Sequence, residues 1–356
     1  MYDLIRLFCL RLGLFLICFL AVFGNTTPVF ANEKETKQKQ NDIYNERYRH
    51  FLEMETLFHI PWQFLAAIDQ YERTIQHSRK DRPKFDKKAL FAIYIPEFQW
   101  AGIMNPNYQD TNPATIKLFG GIGLDGNGDG AADPLNDQDR LLTLCKYLES
   151  FGTTRGDIRI ALWHLYQEDD AVERISQFAA IYEHFGRLDL FEHVFPVPKG
   201  WNYTYRGTWG DRRGWGGIRI HEGTDIFASY GTPVRSTAYG YVDIMGWNPY
   251  GGWRIGIRDL NNYYYYFAHL SSFKKGLKTG DIVKPGDVIG YVGSSGYGPP
   301  GTQGKFPPHL HFGMYKDTGK TEWSFDPYPH LKRWEREMYR KNKASKAALT
   351  YLSLKT

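Results

Sequence analysis

The chain has 356 residues, of which 42% are apolar and 23% charged, and its formal net charge is +5. This composition is typical of an ordered globular protein of about two domains and excludes a largely disordered chain. The mild positive charge favours an anionic partner, but the sequence contains no nucleic-acid-binding motif, so we expect no nucleic-acid partner.

The first 31 residues have the pattern of a secretory signal peptide. Arg6 and Arg11 precede an apolar run of twelve residues, Leu12 to Phe23. Small residues follow at Val29 and Ala31. This arrangement predicts export and cleavage after Ala31. An uncleaved membrane anchor is the alternative, although the run is shorter than the roughly 20 residues that span a bilayer. We expect membrane contact only if the signal is retained.

Cysteine usage does not indicate a disulfide scaffold. Cys9 and Cys18 lie in the predicted signal, which leaves Cys145 alone in the stretch LLTLCKYL. A single cysteine in an apolar, helix-like stretch predicts a buried and unreactive thiol.

After a predicted linker at residues 32–40, residues 41–192 have helical periodicity. The stretch PWQFLAAIDQYERT begins with Pro61, a favoured first helical residue, and places Phe64, Leu65 and Ile68 at helical spacing. Further helices are predicted at about 136–151, 156–168 and 172–186. We therefore expect an all-α first domain, followed by an extended linker in FPVPKG, Phe195 to Gly200.

From residue 196 to about 330 the pattern changes to short strands. Runs such as WRIGIRDL, YYYYFAHL and HLHFGMY are each bounded by Gly, Pro, Asn or Asp. These runs predict a mainly antiparallel β-sheet domain. Residues 331–356, which include KRWEREMYRKNKASK, read as a basic tail, either a solvated helix or a segment attracted to an anionic polymer.

The β domain contains a set of residues suited to a metal site. His309 and His311 alternate along a predicted strand and therefore share one face. His221 and Asp225 have the spacing H-x-x-x-D, and His269 lies at a strand end. A catalytic zinc takes three such ligands and keeps an open position. From the residues alone, His221, Asp225 and one histidine of the H-x-H pair hold the metal, while the others move protons and stabilise charge.

Residues 201–315 resemble the lysostaphin/LytM-type zinc endopeptidases, which cut bacterial peptidoglycan. The resemblance rests on the H-x-x-x-D and H-x-H motifs and on a turn pattern. The pattern is formed by Val283, Lys284, Gly286, Gly290 and Gly293. The resemblance implies that His221, Asp225 and His311 bind one Zn²⁺ and that His269 and His309 are the catalytic pair. It also implies the family's β-sheet fold for this domain.

Two aromatic features lie beside these motifs. Trp215 occupies the position, six residues before His221, where some relatives have a tyrosine that holds the reacting carbonyl. Indole donates only one hydrogen bond, so we expect Trp215 to line the groove instead. In the run Tyr263 to Tyr266, alternation predicts two rings in the groove and two in the core.

The helical domain resembles the lysozyme-like module of lytic transglycosylases, with Glu72 at the position of their catalytic acid. The family's acid is followed by serine, whereas Arg73 follows here. An adjacent cation would keep the carboxylate ionised, which is unfavourable for an acid. We therefore expect a lysozyme-like module that binds glycan or acts as a spacer.

The stretch DGNGDGAADPLN resembles a calcium loop. The residues at positions 1, 3, 5 and 9 of an EF-hand-like pattern are Asp125, Asn127, Asp129 and Asp133. Position 12, usually a bidentate glutamate, is Asn136. A structural Ca²⁺ and a metal-free turn rich in Asp and Asn both fit the sequence.

Across its length the chain is most similar to the sporulation L-Ala–D-Glu endopeptidases of bacilli. The resemblance implies a two-domain peptidoglycan hydrolase that cuts the stem peptide during spore cortex maturation, in the cell wall or spore envelope. Three alternatives remain: a zinc endopeptidase that cuts cross-links, a lytic transglycosylase that uses Glu72, and a non-catalytic envelope scaffold.

Overall fold

The computed structural model describes residues 28–76, 78–82, 89–215 and 217–353. Residues 1–27, most of the predicted signal peptide, lie outside the described residues. None of the described helices is long and apolar enough to cross a membrane. The chain divides into two compact units, residues 1–49 and residues 50–356.

The first helix, α1, covers Pro28–Phe58 and supplies all the described residues of the first unit. Residues 32–40, which we predicted to be a linker, lie within this helix. Their sequence, NEKETKQKQ, is rich in Glu, Lys and Gln, which have high helix propensity. The predicted linker is therefore helical in the structure, and its role as a linker stays a prediction.

The second unit begins with helices, as the periodicity predicts. The described helices after α1 are α2 (Trp62–Ile75), α3 (Glu97–Ala101), α4 (Pro113–Leu118), α5 (Asp137–Glu149), α6 (Arg155–Tyr166) and α7 (Asp169–Phe185). Pro61 has an extended ψ of 126° and precedes α2 as its N-cap, so the helix begins one residue later than predicted. The helical region is confirmed, whereas a lysozyme-like arrangement of these helices stays a prediction.

The loop before α5 is held by its own hydrogen bonds. Asp125 accepts from the backbone N–H groups of Gly128 at 2.7 Å and Gly130 at 2.8 Å. Asn136, at the position where a calcium loop usually has glutamate, is the N-cap of α5 and accepts from the N–H groups of Gln138 and Asp139. The side chains therefore satisfy backbone donors, and the structure does not support the predicted calcium site.

A large antiparallel sheet follows the helices. Its strands are β1 (Tyr203–Tyr205), β4 (Thr224–Ala228), β5 (Pro233–Arg235), β6 (Gly240–Asn248), β7 (Gly252–Asp259), β8 (Tyr263–Phe273), β9 (Ile282–Val283), β10 (Val288–Val292), β11 (His309–Asp317) and β12 (Glu322–Phe325). The main path through the sheet is β1-β4-β11-β8-β7-β6-β9, and β10 joins β5 to β8. A separate hairpin pairs β2 (Arg212–Arg213) with β3 (Arg219–Ile220).

The core of the sheet domain extends beyond the boundaries that we predicted. Phe195 and Val197, in the predicted linker, are fully buried in this core. Leu331 and Trp334, in the predicted basic tail, are also buried there and belong to helix α8 (Tyr328–Ser353). Basic composition alone did not show that the first turns of this helix have an apolar face.

The helices after α1 pack against the sheet through buried polar contacts. Gln70 donates from Nε2 to the backbone oxygen of Leu260 at 2.7 Å. Arg174 donates from Nε to Asp317 Oδ2 at 3.1 Å, and both side chains are largely buried. These contacts explain why residues 50–356 form one compact unit.

Candidate metal centre

Three neighbouring strands bring the predicted site residues together. On β11, His309 and His311 share one face, as alternation predicts. His311 lies opposite Asp225 of β4 on one side and opposite Ala268 of β8 on the other. His221 lies just before β4, directly after the β2–β3 hairpin. Residues almost 90 positions apart in the chain therefore meet on one sheet face.

The ligand atoms of His221, Asp225 and His311 converge on one point. His221 Nε2 lies 2.9 Å from His311 Nδ1 and 3.1 Å from Asp225 Oδ1. The distance from His311 Nδ1 to Asp225 Oδ1 is 3.2 Å. Among the described residues, these three form a group that could hold a metal ion, because their ligand atoms all lie within 4.8 Å of one another.

This spacing fits a zinc ion. Ligand atoms about 2.1 Å from a tetrahedral zinc lie roughly 3.4 Å from one another. His221 Nδ1 lies 2.8 Å from the backbone oxygen of Thr208, which fixes the tautomer that leaves the Nε2 lone pair toward the centre. A cation among two imidazole nitrogens and a carboxylate oxygen at such distances would offset the repulsion between their lone pairs.

Asp225 is held as an anion. Arg213 donates from Nη2 to Asp225 Oδ2 at 2.7 Å and leaves Oδ1 directed at the two histidines. Burial acts to raise the pKa of Asp225, but contacts with His221 and His311 outweigh it and hold the pKa well below its usual range. Arg213 was not predicted from the sequence, because nothing in its spacing indicates a contact with Asp225.

Gly223, between the two ligands of the H-x-x-x-D motif, leaves room for His311. A Cβ at this position would lie 2.6 Å from His311 Cε1 and 2.8 Å from the backbone oxygen of Phe312. Both distances are shorter than van der Waals contact. Glycine is therefore required at position 223 because the backbone there passes close to the His311 ring. The turn between His221 and Asp225 is a second reason for glycine.

The other two histidines are positioned as neutral bases beside the centre. His309 Nδ1 lies 2.8 Å from the backbone oxygen of Pro307, and His269 Nδ1 lies 2.8 Å from that of Ser295. With Nδ1–H donating, each Nε2 keeps its lone pair, and His309 Nε2 lies 3.6 Å from Asp225 Oδ1. Burial lowers the pKa of both imidazoles, which favours the neutral form.

His269 also has an unusual backbone conformation. Its φ is +61°, in the left-handed region that non-glycine residues rarely adopt. The ring lies 4.8 Å from the His309 ring, centroid to centroid. Strained backbone at such a position is common in active sites, where it fixes a side chain in its working orientation.

The centre lies in a groove with a volume of about 580 Å³. Alternation along β8 places Tyr264 and Tyr266 in this groove, whereas Tyr265 is fully buried, as predicted. Trp215 stacks on Tyr297, with ring centroids 4.6 Å apart, and Tyr297 lines the groove. The groove is open, charged and aromatic, and can receive an extended peptide.

Glu72 is not among the residues that line the groove. It is 0% exposed, and both its carboxylate oxygens are buried without a hydrogen-bond partner among the described residues. Burial raises the pKa of Glu72 to about 7, opposed by Arg82, whose Nη1 lies 3.8 Å away. Arg73 pairs with Asp69 instead, at 2.9 Å, so our expectation that Arg73 keeps Glu72 ionised was wrong.

Comparisons with known proteins agree with this geometry. The family model for Peptidase family M23 matches residues 219–327. The chain is 57% identical over 307 residues to the L-Ala–D-Glu endopeptidase of Bacillus subtilis (strain 168), which covers 86% of this chain and 94% of that protein. It is 36% identical over 115 residues to lysostaphin of Staphylococcus staphylolyticus, 32% of this chain and 22% of lysostaphin.

Among solved structures, the catalytic domain of lysostaphin from Staphylococcus simulans is 33% identical and has a TM-score of 0.30. The match covers 37% of this chain and 92% of that domain. The Bacillus subtilis relative is similar over most of both chains. On the strength of that similarity and of the matched residues, the chain belongs to peptidase family M23.

Proposed function

We propose that this protein is a zinc endopeptidase that hydrolyses the L-Ala–D-Glu bond in the stem peptide of peptidoglycan. The observation that carries the proposal is the convergence of His221 Nε2, Asp225 Oδ1 and His311 Nδ1 within 3.2 Å of one another at an open groove. The choice of bond is supported by the 57% identity to a relative named for that bond.

His221, Asp225 and His311 would hold the metal. When bound, zinc supplies Lewis acidity, which polarises a carbonyl group and lowers the pKa of a water molecule. A zinc ion with these three donors would keep a coordination position for water or substrate. His309 and His269 line the same groove. Arg213 keeps the Asp225 carboxylate oriented, since it occupies the second oxygen of that group.

His309 and His269 perform the proton transfers. One of these histidines accepts a proton at Nε2 from water as the water oxygen attacks the alanine carbonyl carbon. The protonated imidazole then donates to the glutamate nitrogen as the carbon–nitrogen bond breaks, which releases a carboxyl group and an amine. The other imidazole lies beside the developing negative charge and stabilises it. The backbone acceptors at Pro307 and Ser295 keep both rings in the required tautomer.

The sequence supports a proposed location and biological setting. The signal-peptide pattern at residues 1–31 supports export to the cell wall or spore envelope. Spore cortex maturation is supported by the resemblance to sporulation endopeptidases. The helical region would bind glycan or set the distance between glycan and the groove.

The test uses an N-acyl-L-alanyl-D-glutamyl peptide with His309→Ala, His221→Ala and His184→Ala, the last as an exposed control on α7. We expect His309→Ala to keep its zinc and lose activity by roughly 100-fold or more. His221→Ala should lose both zinc and activity, and the control should lose neither. Full activity of His309→Ala would contradict the mechanism. Cleavage at a bond other than Ala–Glu would contradict the specificity.

A further inference from the structure

Three arginines line the groove: Arg213, Arg219 and Arg254. The mechanism uses the first, which pairs with Asp225 at 2.7 Å. Within the described part of the chain, Arg219 and Arg254 make no ion pair, and the Nε atom of each is buried without a hydrogen-bond partner. Guanidinium donors without an ion-pair partner at the wall of a groove can bind an acceptor supplied by a ligand.

Arg254 lies across the sheet from the metal centre. His311 of β11 pairs with Ala268 of β8. On the far side of β8, Phe267 pairs with Ile255, the residue after Arg254 in β7. Two strand spacings, about 10 Å, therefore separate the backbones of His311 and Arg254.

Aromatic rings lie beside Arg254 and Arg219 in the groove, and one of them, Tyr266, also lies beside the metal centre. Its ring lies 5.9 Å from the Arg254 guanidinium carbon and also 5.9 Å from the His311 ring. Arg219 lies over the Tyr250 ring, with 5.4 Å from its guanidinium carbon to the ring centroid, and Tyr250 lines the same groove. Aromatic rings of the groove therefore hold both guanidinium groups at its wall.

The acidic residues of the groove do not neutralise this region. Glu322 accepts from Arg258 Nη2 at 2.8 Å, and Glu222 accepts from the Tyr315 hydroxyl at 3.4 Å. Among the described residues, Arg219 and Arg254 thus carry positive charge that no carboxylate within ion-pair distance balances. A peptide bound through its carbonyl at the metal would extend one residue or two into this region.

We propose that Arg254, together with Arg219, binds the free carboxylate of the glutamate on the amine side of the scissile bond. The inference rests on the proposed function, since it names the recognition of that same substrate. A glutamate residue in a peptide has two carboxyl groups and uses one to continue the chain. The other is an anion at neutral pH. The planar guanidinium fork matches a carboxylate in geometry and charge.

The test compares two peptides that differ only in this group, an L-alanyl-D-glutamyl peptide with the free carboxylate and the same peptide with a primary amide there. We expect the native chain to favour the free acid in kcat/KM by roughly 10- to 100-fold. Arg254→Gln should remove most of this preference by slowing only the acid, and Arg219→Gln should weaken it. Arg254→Lys, which keeps the charge but not the fork, should restore part of it.

Arg212→Gln is the matched control, because Arg212 is exposed on the same hairpin as Arg213 and Arg219. It should keep the full preference. Equal slowing of both peptides in Arg254→Gln, or a preference that survives in that variant, would overturn the inference while leaving the proposed function intact.

A calorimetric measurement separates the two proposals. The glutamyl peptide product, in acid and amide forms, is titrated into the native chain and into Arg254→Gln. Tighter binding of the acid that disappears in Arg254→Gln supports the carboxylate site even if the native chain fails to cut the Ala–Glu bond. Equal binding of acid and amide to the native chain would overturn it.

Discussion

The buried carboxylate of Glu72 makes the stability of this protein depend on pH in a way that glutamine would abolish. The pKa of Glu72 rises to about 7 because the side chain is buried, and neither oxygen has a hydrogen-bond partner among the described residues. In the unfolded chain the group titrates near its usual 4.5. The folded state therefore holds this proton more tightly than the unfolded state does.

The direction of the effect follows from proton linkage. Below pH 4.5 both states are protonated, and the contribution of Glu72 to stability is fully present. Between pH 4.5 and about 7 the unfolded state loses its proton first, so the free energy of unfolding falls as pH rises. Above pH 7 the loss is complete and amounts to about 3 kcal/mol.

Urea denaturation of the native chain and of Glu72→Gln at pH 4 and pH 8 measures this loss. Glutamine has its own pH-independent cost, so the observable is how the difference between the two chains changes with pH. We expect Glu72→Gln to gain about 3 kcal/mol relative to the native chain between pH 4 and pH 8. Glu149→Gln, at an exposed ion pair with Lys146, should show no such gain. An unchanged difference between Glu72→Gln and the native chain would refute the reasoning.

Three further changes have expected outcomes. Gly223→Ala should lower zinc affinity by roughly 10- to 100-fold, measured by chelator competition, because its Cβ would lie 2.6 Å from the His311 ring. Gly214→Ala, where a Cβ meets nothing within 4 Å, should leave zinc affinity unchanged, and equal losses in both would contradict the steric argument. Arg174→Ala should cost about 3 kcal/mol in urea denaturation, since it leaves the buried Asp317 carboxylate with the Gly319 N–H and a distant Arg258 as its contacts. A change below about 0.5 kcal/mol would show that the contact is unimportant. Cys145, fully buried and with its thiol pKa raised by burial, should react with a thiol reagent only in denaturant, and fast reaction of the folded chain would contradict that burial.

The grouping of the candidate metal ligands could be predicted from sequence because strand geometry is simple. Alternation places His309 and His311 on one face, and a short turn joins His221 to Asp225. The resemblance to a family then distinguished the ligand His311 from its neighbour His309. The structure adds the distances, which fit a metal ion, and the backbone oxygens that lie within hydrogen-bond distance of each Nδ1.

Other features of the site could not be predicted because they depend on which strands are neighbours. Arg213 and Arg254 reach the groove from strands whose order the sequence does not show. The need for Gly223 comes from a ring on β11, far away in the chain. Spacing within one segment contains no information about such contacts.

The expectation that Arg73 acts on Glu72 was wrong for a different reason, namely the geometry of the helix itself. We expected Arg73 to act on Glu72 because the two are adjacent in sequence. Successive residues in a helix point in different directions, whereas residues four apart lie on the same face. Arg73 accordingly pairs with Asp69, and the cation nearest to Glu72 is Arg82, which lies beyond the end of α2.

The central claim is that His221, Asp225 and His311 hold a zinc ion that cleaves the Ala–Glu bond of peptidoglycan. The most direct test digests purified peptidoglycan with the full chain, with and without a chelator, and identifies the new chain ends by mass spectrometry. We predict chelator-sensitive release of peptides that begin with glutamate, with alanine left on the glycan. Cleaved glycan ends that form despite the chelator, with the stem peptides intact, would contradict the account.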